Sequence, residues 1–178
     1  MIEGNVIIIG KEAWDAKVLR IIAGMKDFRV PFKQTEIYLE GRFADTFEKE
    51  GEPGWKPHAN PMTAMLKRGS SGGKILQDTG RLKSTMTSSG RAGSRRRIRP
   101  MRMEYGVSNN YKVAHYMEKG ARVPVTDKMR AFLAYRGVFL KSDTDTIVIP
   151  PRPFMHFVPR DLPKIEKIFN NYIDALIV

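Results

Sequence analysis

The chain has 178 residues and 42% hydrophobic content, which is enough apolar material for one core and fits a single domain over residues 1–178. It contains no cysteine and three histidines at wide spacing, so the sequence excludes a disulfide scaffold, a thiol nucleophile and a Cys/His zinc site. Its apolar runs are too short for a membrane span or a signal peptide, and we therefore expect a soluble protein with no membrane partner.

The positive charge is concentrated in one short part of the chain. In total, 31 Lys and Arg against 19 Asp and Glu give a net charge of +12. Between Lys67 and Met103 there are eleven Lys or Arg and a single acid, Asp78, which makes +10. Such a field attracts polyanions, so this part of the chain predicts a contact with nucleic acid or with an acidic protein surface.

Hydrophobic spacing predicts two helices after a short edge strand at residues 5–9. Over Lys11–Met25 the apolar residues recur at helical spacing, as one stripe made of Trp14, Val18, Ile21, Ile22 and Met25. A second helix is expected after a break at Val30 and Pro31, and it runs to about Glu50, where Gly51 stops it. We expect the two helices to be antiparallel, and the apolar face of the second one holds Phe32, Leu39, Phe43 and Phe47.

A long polar crossover follows the second helix. Three prolines in residues 52–61 exclude regular structure there, but Trp55 is too large to be left exposed without a reason. We interpret Trp55 as an anchor that pins this loop to the core. Residues 62–67 are compatible with a short helix, and the glycine-rich residues 69–73 are typical of a flexible joint.

Residues 74–89 combine an apolar pair, a polar corner and the start of a helix. Asp78 and Thr79 are both competent helix N-caps, and Gly80 allows the backbone to turn sharply before Arg81. Because none of these side chains is chemically reactive, we interpret them as a helix-capping corner. Residues 85–89 are then expected to form a strand.

A basic hairpin loop is predicted at about residues 90–99, before a strand over residues 98–108. The loop is expected to be mobile in the free protein, because glycines and like charges bury little apolar area. Its candidate contacts to a partner or to nucleic acid are Arg91, Arg95, Arg96, Arg97 and Arg99. The alternative is a solvated loop whose arginines make no specific contact. No aromatic residue interleaves them, so stacking with single-stranded bases is not expected.

Three further helices are predicted in the last third of the chain. They are expected over residues 111–119, where Gly120 is the stop, near residues 127–133, and after Asp161, which caps the last helix. His115 is interpreted as a packed or surface histidine, because no carboxylate or hydroxyl partner is placed by spacing.

Asp143 and Asp145 could suggest a metal site, but their setting favours a turn. Ser, Asp and Thr residues precede a β-branched strand at residues 147–149, which is typical of a hairpin turn. An extended segment then presents Phe154, because it contains Pro150, Pro151 and Pro153.

Together the elements predict an α+β protein. Its helices pack on one side of a small, mainly antiparallel β-sheet, and it has a long crossover loop and a C-terminal helix. No nucleophile, base or set of ligands converges in the sequence, so no enzyme, cofactor or metal site is expected. The alternative of a hydrolase with a site around His115 or Asp143 would require alanine at both positions to abolish its activity.

Short motifs over nearly the whole chain resemble those of the tail-completion, or virion morphogenesis, family of tailed bacteriophages. They occur in the family's order. The first half contributes Phe43 and Phe47 on a helix, then Gly51, Gly54, Trp55 and Pro57, and then Ile75, Leu76, Asp78, Thr79, Gly80, Arg81 and Leu82. The second half contributes Tyr105, Gly106, Tyr111, His115, Gly120, Thr126, Met129, Arg130 and Phe132, and it ends with Ile149, Pro150, Arg152, Pro153 and Phe154.

The resemblance implies a structural virion protein of the neck or tail end, which completes the tail and joins it to the head. It would form a homo-oligomeric ring, and six copies would match a sixfold tail tube. The implied partners are the tail tube or tail terminator and the head connector proteins, with DNA passing through the ring. The implied location is the virion, after assembly in the host cytoplasm. A DNA-binding accessory protein is the alternative, which the charge alone would favour.

Overall fold

The computed structural model describes residues 11–57 and 74–177, and it places six helices and four strands in them. The helices are α1 (Lys11–Met25), α2 (Arg29–Glu48), α3 (Arg81–Thr87), α4 (Lys112–Lys119), α5 (Asp127–Tyr135) and α6 (Asp161–Ile177). The strands are β1 (Ser94–Arg99), β2 (Arg102–Val107), β3 (Ala121–Pro124) and β4 (Thr146–Ile149). The strand, helix and joint expected at residues 5–9, 62–67 and 69–73 lie outside the described residues. None of the described helices combines the length and apolar character needed to cross a bilayer.

The prediction of an α+β fold with a C-terminal helix is confirmed. The described strands form two small antiparallel sheets, one from β1 and β2 and one from β3 and β4. In the second sheet Ala121 lies opposite Ile149, and Pro124 lies opposite Thr146. The strands are therefore divided between two small sheets.

The chain divides into two compact units. The terminal unit contains Met1–Glu36, Arg97–Glu104 and Val158–Val178, and the central unit contains Ile37–Arg96 and Tyr105–Phe157. Helix α2 and both strands of the first sheet have residues in each unit.

In the terminal unit, α1 packs against α6, and aromatic rings from the link after α1 and from the first turn of α2 contact that helix too. The ring centroid of Phe169 lies 5.9 Å from that of Phe28 and 5.5 Å from that of Phe32. The hydroxyl of Tyr172 donates to the carbonyl oxygen of Asp27 at 2.8 Å. The main helical neighbour of α1 among the described residues is therefore α6.

The predicted bounds of the first helix are confirmed, but the break after it lies earlier than expected. Helix α2 begins at Arg29, so Pro31 lies in its first turn. Proline is tolerated there because the first amides of a helix have no acceptor within the helix. The break at Val30 and Pro31 is thus corrected to the three residues before α2.

The core of the central unit is built on the second half of α2. Its apolar face is buried as predicted, through Leu39, Phe43 and Phe47. The helix ends at Glu48, and the N–H of Gly51 donates to the carbonyl oxygen of Thr46 at 2.8 Å. Gly51 has a φ of +104°, a conformation that suits glycine, so its predicted role as the stop is confirmed.

Residues 85–87 belong to helix α3, so the prediction of a strand at residues 85–89 is wrong. Leu82, Thr85 and Met86 are buried together, because spacings of three and four residues place them on one helical face. The hydroxyls of Ser84 and Thr85 donate to the carbonyl oxygen of Arg81, each at 2.9 Å. Hydroxyl-bearing residues that suggest a strand by composition are accommodated in the helix in this way.

The prediction of a basic loop at residues 90–99 is wrong for most of that range, because Ser94–Arg99 form strand β1. Gly90 and Gly93, with φ values of +75° and +94°, lie before the strand. Side chains along β1 alternate between half-buried and exposed positions, as the pleat of a strand requires. The turn of this hairpin lies instead at Pro100 and Met101.

The three helices expected in the last third of the chain are confirmed as α4, α5 and α6. Gly120, with a φ of +76°, lies at the end of α4. The hydroxyl of Thr126 caps α5 by accepting the N–H of Met129 at 3.2 Å. The prediction that Asp161 caps α6 is corrected, because Asp161 is the first residue of that helix and its carboxylate accepts the N–H of Val158, before the helix, at 2.8 Å.

Candidate functional site

Two segments that are distant in the sequence line one cleft in the central unit, which we call the motif cleft. Its volume is about 440 Å³. The first segment contributes Leu76, Asp78, Thr79, Gly80, Arg81 and Leu82. The second contributes Val148, Ile149, Pro150 and Arg152, and the residues between the two add Tyr111, Val113 and Met117.

The first segment is held at the end of α2 by side-chain hydrogen bonds. The N–H of Ile75 donates to Oε1 of Glu50 at 2.5 Å, and Nε2 of Gln77 donates to the carbonyl oxygen of Phe47 at 2.6 Å. Gln77 is buried, where a polar group is costly unless it is hydrogen-bonded. No pattern in the sequence identifies Gln77 or Glu50, because the bonds from Gln77 to Phe47 and from Ile75 to Glu50 depend on where the end of α2 lies in space.

The corner at Asp78 and Thr79 leads into α3, but the prediction that one of them caps the helix is wrong. The N-cap residue is Gly80, in the left-handed conformation with a φ of +69°, and no side-chain hydrogen bond caps α3. Oγ1 of Thr79 lies 3.4 Å from the backbone nitrogen of Arg81, which is long for a hydrogen bond. Glycine takes the cap because that backbone conformation costs other residues free energy. Asp78 and Thr79 line the cleft instead.

The second segment is anchored by the buried side chain of Arg152. The backbone N–H of Arg152 donates to the carbonyl oxygen of Met117 at 2.7 Å. Its guanidinium donates to the carbonyl oxygens of Lys56 and Pro57 at 3.1 and 3.3 Å. Burial lowers the pKa of the Arg152 guanidinium, which still carries its positive charge. Arg152 thus ties the start of the crossover loop to the residues that follow β4.

Trp55 anchors the crossover loop, as predicted. Its Nε1 donates to the carbonyl oxygen of Pro153 at 2.7 Å, and its ring meets that of Phe47 edge-on at 5.5 Å. Phe154 is fully buried, with its ring centroid 5.8 Å from that of Phe47. The N–H of Phe154 donates to Glu118 at 2.8 Å, a contact that no local pattern announces. Trp55 and Phe154 are therefore parts of the core, and Pro153 is half-buried beside them.

Arg81 is shared by the motif cleft and two smaller pockets. Its guanidinium lies over the ring of Tyr111, 5.4 Å from the centroid, which is a cation–π contact. One of the smaller pockets, of about 310 Å³, also has Arg91 and the hydroxyl of Ser84 in its lining. Within residues 11–57 and 74–177, neither Arg81 nor Arg91 forms an ion pair. Both charges are available to an acidic partner.

Four of the five candidate contact arginines lie on strand β1, on its two faces. Arg96 faces inward in the alternating pattern of the strand, and Arg91 is exposed in the turn before it. The side chains that face outward and are exposed are those of Arg95, Arg97 and Arg99. A row of cations along one strand face is suited to an acidic surface or to phosphates.

Arg96 has a structural role, so the partner contact predicted for it is corrected. Its side chain is 7% exposed and forms an ion pair with Glu40. Nη2 donates to the carbonyl oxygen of Met86 at 2.6 Å, and the guanidinium lies 4.5 Å from the ring centroid of Tyr105. These contacts fix β1 to the core of the central unit.

Glu48 lies at the end of α2 between two lysines. Nζ of Lys74 lies 2.6 Å from its carboxylate, and Lys83 binds the other carboxylate oxygen. These hydrogen bonds, first from Lys74 and then from Lys83, lower the pKa of Glu48 to about 2. All three groups are at least partly exposed, so the ion pairs contribute modestly to stability.

The described residues contain no cluster of three His, Asp or Glu side chains that could hold a metal ion. Nε2 of His115 lies 3.3 Å from the carbonyl oxygen of Ser108, in agreement with a packed histidine. The N–H of Thr144 donates to the carbonyl oxygen of Lys141 at 3.1 Å, so Asp143 lies in a turn as predicted. It is not the turn of a hairpin, because β4 pairs with β3 and α5 lies between these strands in the chain. The motif cleft, by contrast, is apolar and has the cation Arg81 in its lining, which is an arrangement suited to binding.

Comparison of the chain with models of protein families, with curated proteins and with solved structures found no match. Inferences about its function therefore depend on its residues, its fold and the geometry of the motif cleft.

Proposed function

We propose that this chain is a structural protein of a bacteriophage virion, which completes the tail and joins it to the head within a homo-oligomeric ring. The observation that carries the proposal is the motif cleft. Residues 76–82 and 148–152 hold two of the motifs that resemble the tail-completion family, and they line one cleft. Most of helix α3, the first sheet, α4, β3 and α5 separate these segments along the chain.

Motifs that match a family by chance have no reason to be neighbours in the folded chain. Here Asp78, Gly80 and Arg81 line the same cleft as Pro150 and Arg152. A third motif, with Trp55, is bonded to the residue between Arg152 and Phe154. Short motifs that together form one cleft and one piece of core are expected when they define a fold, which supports the resemblance.

Exposed apolar side chains also support a protein that works in an assembly. In the central unit, Tyr135 and Phe139 are almost fully exposed. In the terminal unit, α1 has no buried residue although it carries Trp14, Leu19 and Met25. Exposed aromatic and aliphatic side chains of this kind are typical of surfaces that become buried in complexes.

The proposed ring has six copies, because a sixfold tail tube is most simply matched by six identical contacts. Its proposed neighbours are the tail tube or tail terminator and the head connector proteins. The outward arginines of β1 would meet an acidic neighbour or the DNA that passes through the ring. The proposed location is the neck or tail of the virion, reached after assembly in the host cytoplasm.

Electron cryomicroscopy of particle necks tests this proposal. We expect a sixfold ring at the end of the tail whose density fits this chain. Particles made without the gene should accumulate heads and tails that are not joined. A neck with one copy of the chain, or with a ring of another order, would contradict the proposal.

A DNA-binding accessory protein is the second candidate, and the row of outward arginines on β1 favours it. Such a protein should bind duplex DNA as a free monomer, with an affinity that falls steeply as salt rises. Titration of a labelled duplex at low and physiological salt measures this directly. Tight, salt-sensitive binding together with necks that lack the protein would favour the accessory role.

A further inference from the structure

The central unit carries an exposed aromatic surface that is not part of the motif cleft. Phe132 and Tyr135 lie three residues apart on one face of α5, and Phe139 follows in the loop after the helix. Their exposed fractions are 61%, 87% and 81%. We call these three side chains the aromatic knob. Exposed rings of this size are the side chains that most often anchor protein interfaces.

Hydrogen bonds hold the aromatic knob in place. The N–H of Val138 donates to the carbonyl oxygen of Leu133 at 2.8 Å, which folds the chain back on the end of α5. The guanidinium of Arg130 donates to the carbonyl oxygens of Lys141 and Thr144 at 2.8 and 2.9 Å. The loop after α5 is therefore tied to the helix at both ends. A surface that is already ordered loses little conformational entropy when it docks.

The motif cleft has properties that complement the aromatic knob. Its lining is largely apolar, through residues such as Leu76, Leu82, Val113, Met117, Val148 and Ile149. It also contains Arg81, and Arg91 lies in the adjoining pocket. The loop beside the knob carries two exposed acids, Asp143 and Asp145, which form no ion pair within residues 11–57 and 74–177.

We propose that the aromatic knob of one copy docks in the motif cleft of the next copy, with Asp143 and Asp145 facing Arg81 and Arg91. The occupant is a second copy because this chain itself supplies both the apolar surface and the opposite charges. The knob precedes β4 and the cleft includes its end, so the contact joins two different surfaces. Such a contact repeats from copy to copy until a ring closes. The inference rests on the proposed function, because it supplies the interface of the proposed ring.

Cross-linking of single-cysteine variants tests the contact, because the natural chain has no cysteine. Ala131→Cys places a thiol beside the aromatic knob, and Thr79→Cys places one at the motif cleft. With a short bis-maleimide, each variant alone should give little cross-linked dimer, whereas an equal mixture should give the mixed dimer. Ala13→Cys, on an exposed position of α1, is the matched control for Ala131→Cys.

Removal of the knob provides the second arm of the test. Tyr135→Ala with Phe139→Ala in the Ala131→Cys chain should lower the yield of mixed dimer about tenfold, as loss of interface anchors does. Both side chains are exposed, so the melting temperature should match that of the parent. Ile37→Ala, on another exposed apolar position of the central unit, should leave the yield unchanged.

The contact is overturned if the mixture cross-links no better than the Ala13→Cys control, or if the yield survives loss of the two aromatic side chains. A sixfold ring in particle necks without this cross-link would leave the proposed function standing and remove only the interface. Specific cross-linking of the pure protein, with necks that lack the chain, would support the interface and remove the proposed function.

Discussion

The two faces of strand β1 use one residue type in opposite ways. Arg96 faces inward, where Glu40, the carbonyl oxygen of Met86 and the ring of Tyr105 surround its guanidinium. The arginines that flank it in the sequence face outward and are exposed. A buried cation of this kind stabilises the fold only while its partners are present, whereas an exposed cation also contributes to the electrostatic field that other molecules meet. A count of arginines therefore predicts the charge of the segment and not the role of each side chain.

Substitutions of Arg96 and Arg97 test most directly whether the two faces of β1 differ in their contribution to stability. Arg96→Ala removes the partner of Glu40 and leaves a cavity, so we expect a loss of about 2 to 4 kcal/mol in the free energy of unfolding. Arg97→Ala, one residue away on the exposed face, should change it by less than about 0.5 kcal/mol. Urea denaturation measures both. Equal effects of the two substitutions would mean that the faces are not distinct.

Arg152 extends the comparison to a buried arginine whose guanidinium partners among the described residues are carbonyl oxygens. Arg152→Met removes the donors to the carbonyl oxygens of Lys56 and Pro57, and it should cost about 2 to 3 kcal/mol. Arg152→Lys restores a charge but not the forked guanidinium, so about half of that loss should remain. Thermal denaturation of the three proteins checks the order. A lysine variant as stable as the natural chain would show that the charge alone is sufficient.

Thr126 and Thr79, which precede α5 and α3, allow a similar comparison of a bonded and a nearly unbonded side chain. The expected effects on stability are smaller. Thr126 accepts the N–H of Met129, so Thr126→Ala should cost about 1 kcal/mol, the usual loss of a cap. Thr79 makes only the long contact to Arg81, so Thr79→Ala should cost less than about 0.5 kcal/mol. Chemical denaturation of both variants resolves the difference. A larger loss at Thr79 would restore it as a cap of α3.

Glu48 adds a dependence on pH. Its pKa in the folded chain is about 2, below the ordinary value of 4.5, so its ion pairs contribute fully above about pH 4.5 and are lost as the pH falls towards 2. Glu48→Gln should therefore lower the melting temperature slightly at neutral pH, and the difference should disappear in acid and at high salt. Asp45→Asn, on an exposed position of the same helix, is the control. A difference that persists at pH 2 would point to a cause other than charge.

The outward face of β1 should have the smallest effect on stability. Arg95→Ser, Arg97→Ser and Arg99→Ser in one chain should change the melting temperature little, because the three side chains are exposed. The same chain should attach more weakly to its neighbour in the particle, and the difference from the natural chain should be largest at low salt, because salt screens exposed charges. Yields of infectious particles at two salt concentrations measure this. Normal yields at both would leave the outward arginines without a role in attachment.

Local patterns in the sequence were sufficient for the elements whose signals lie within a few residues. The stripe of apolar residues predicts α1 with its bounds, and Leu39, Phe43 and Phe47 predict the buried face of α2. The size of Trp55 and the prolines of the loop around it predict that Trp55 is an anchor. Such signals succeed because helical periodicity and the exclusion of large rings from water act over one or two turns of chain.

Only the tertiary structure decided the candidate site and the role of each arginine. The local sequence around Thr85 and Met86 predicts a strand. In the structure these residues are buried together with Leu82 on one face of a helix. The partners of Arg96, Arg152 and Gln77 are backbone and side-chain groups from other elements, so no local spacing contains them. The motif cleft exists for the same reason, since it forms only where residues 76–82 and 148–152 come together in space. Composition and periodicity determine which elements form, whereas the close packing of those elements decides which polar groups are paired and which remain open to a partner.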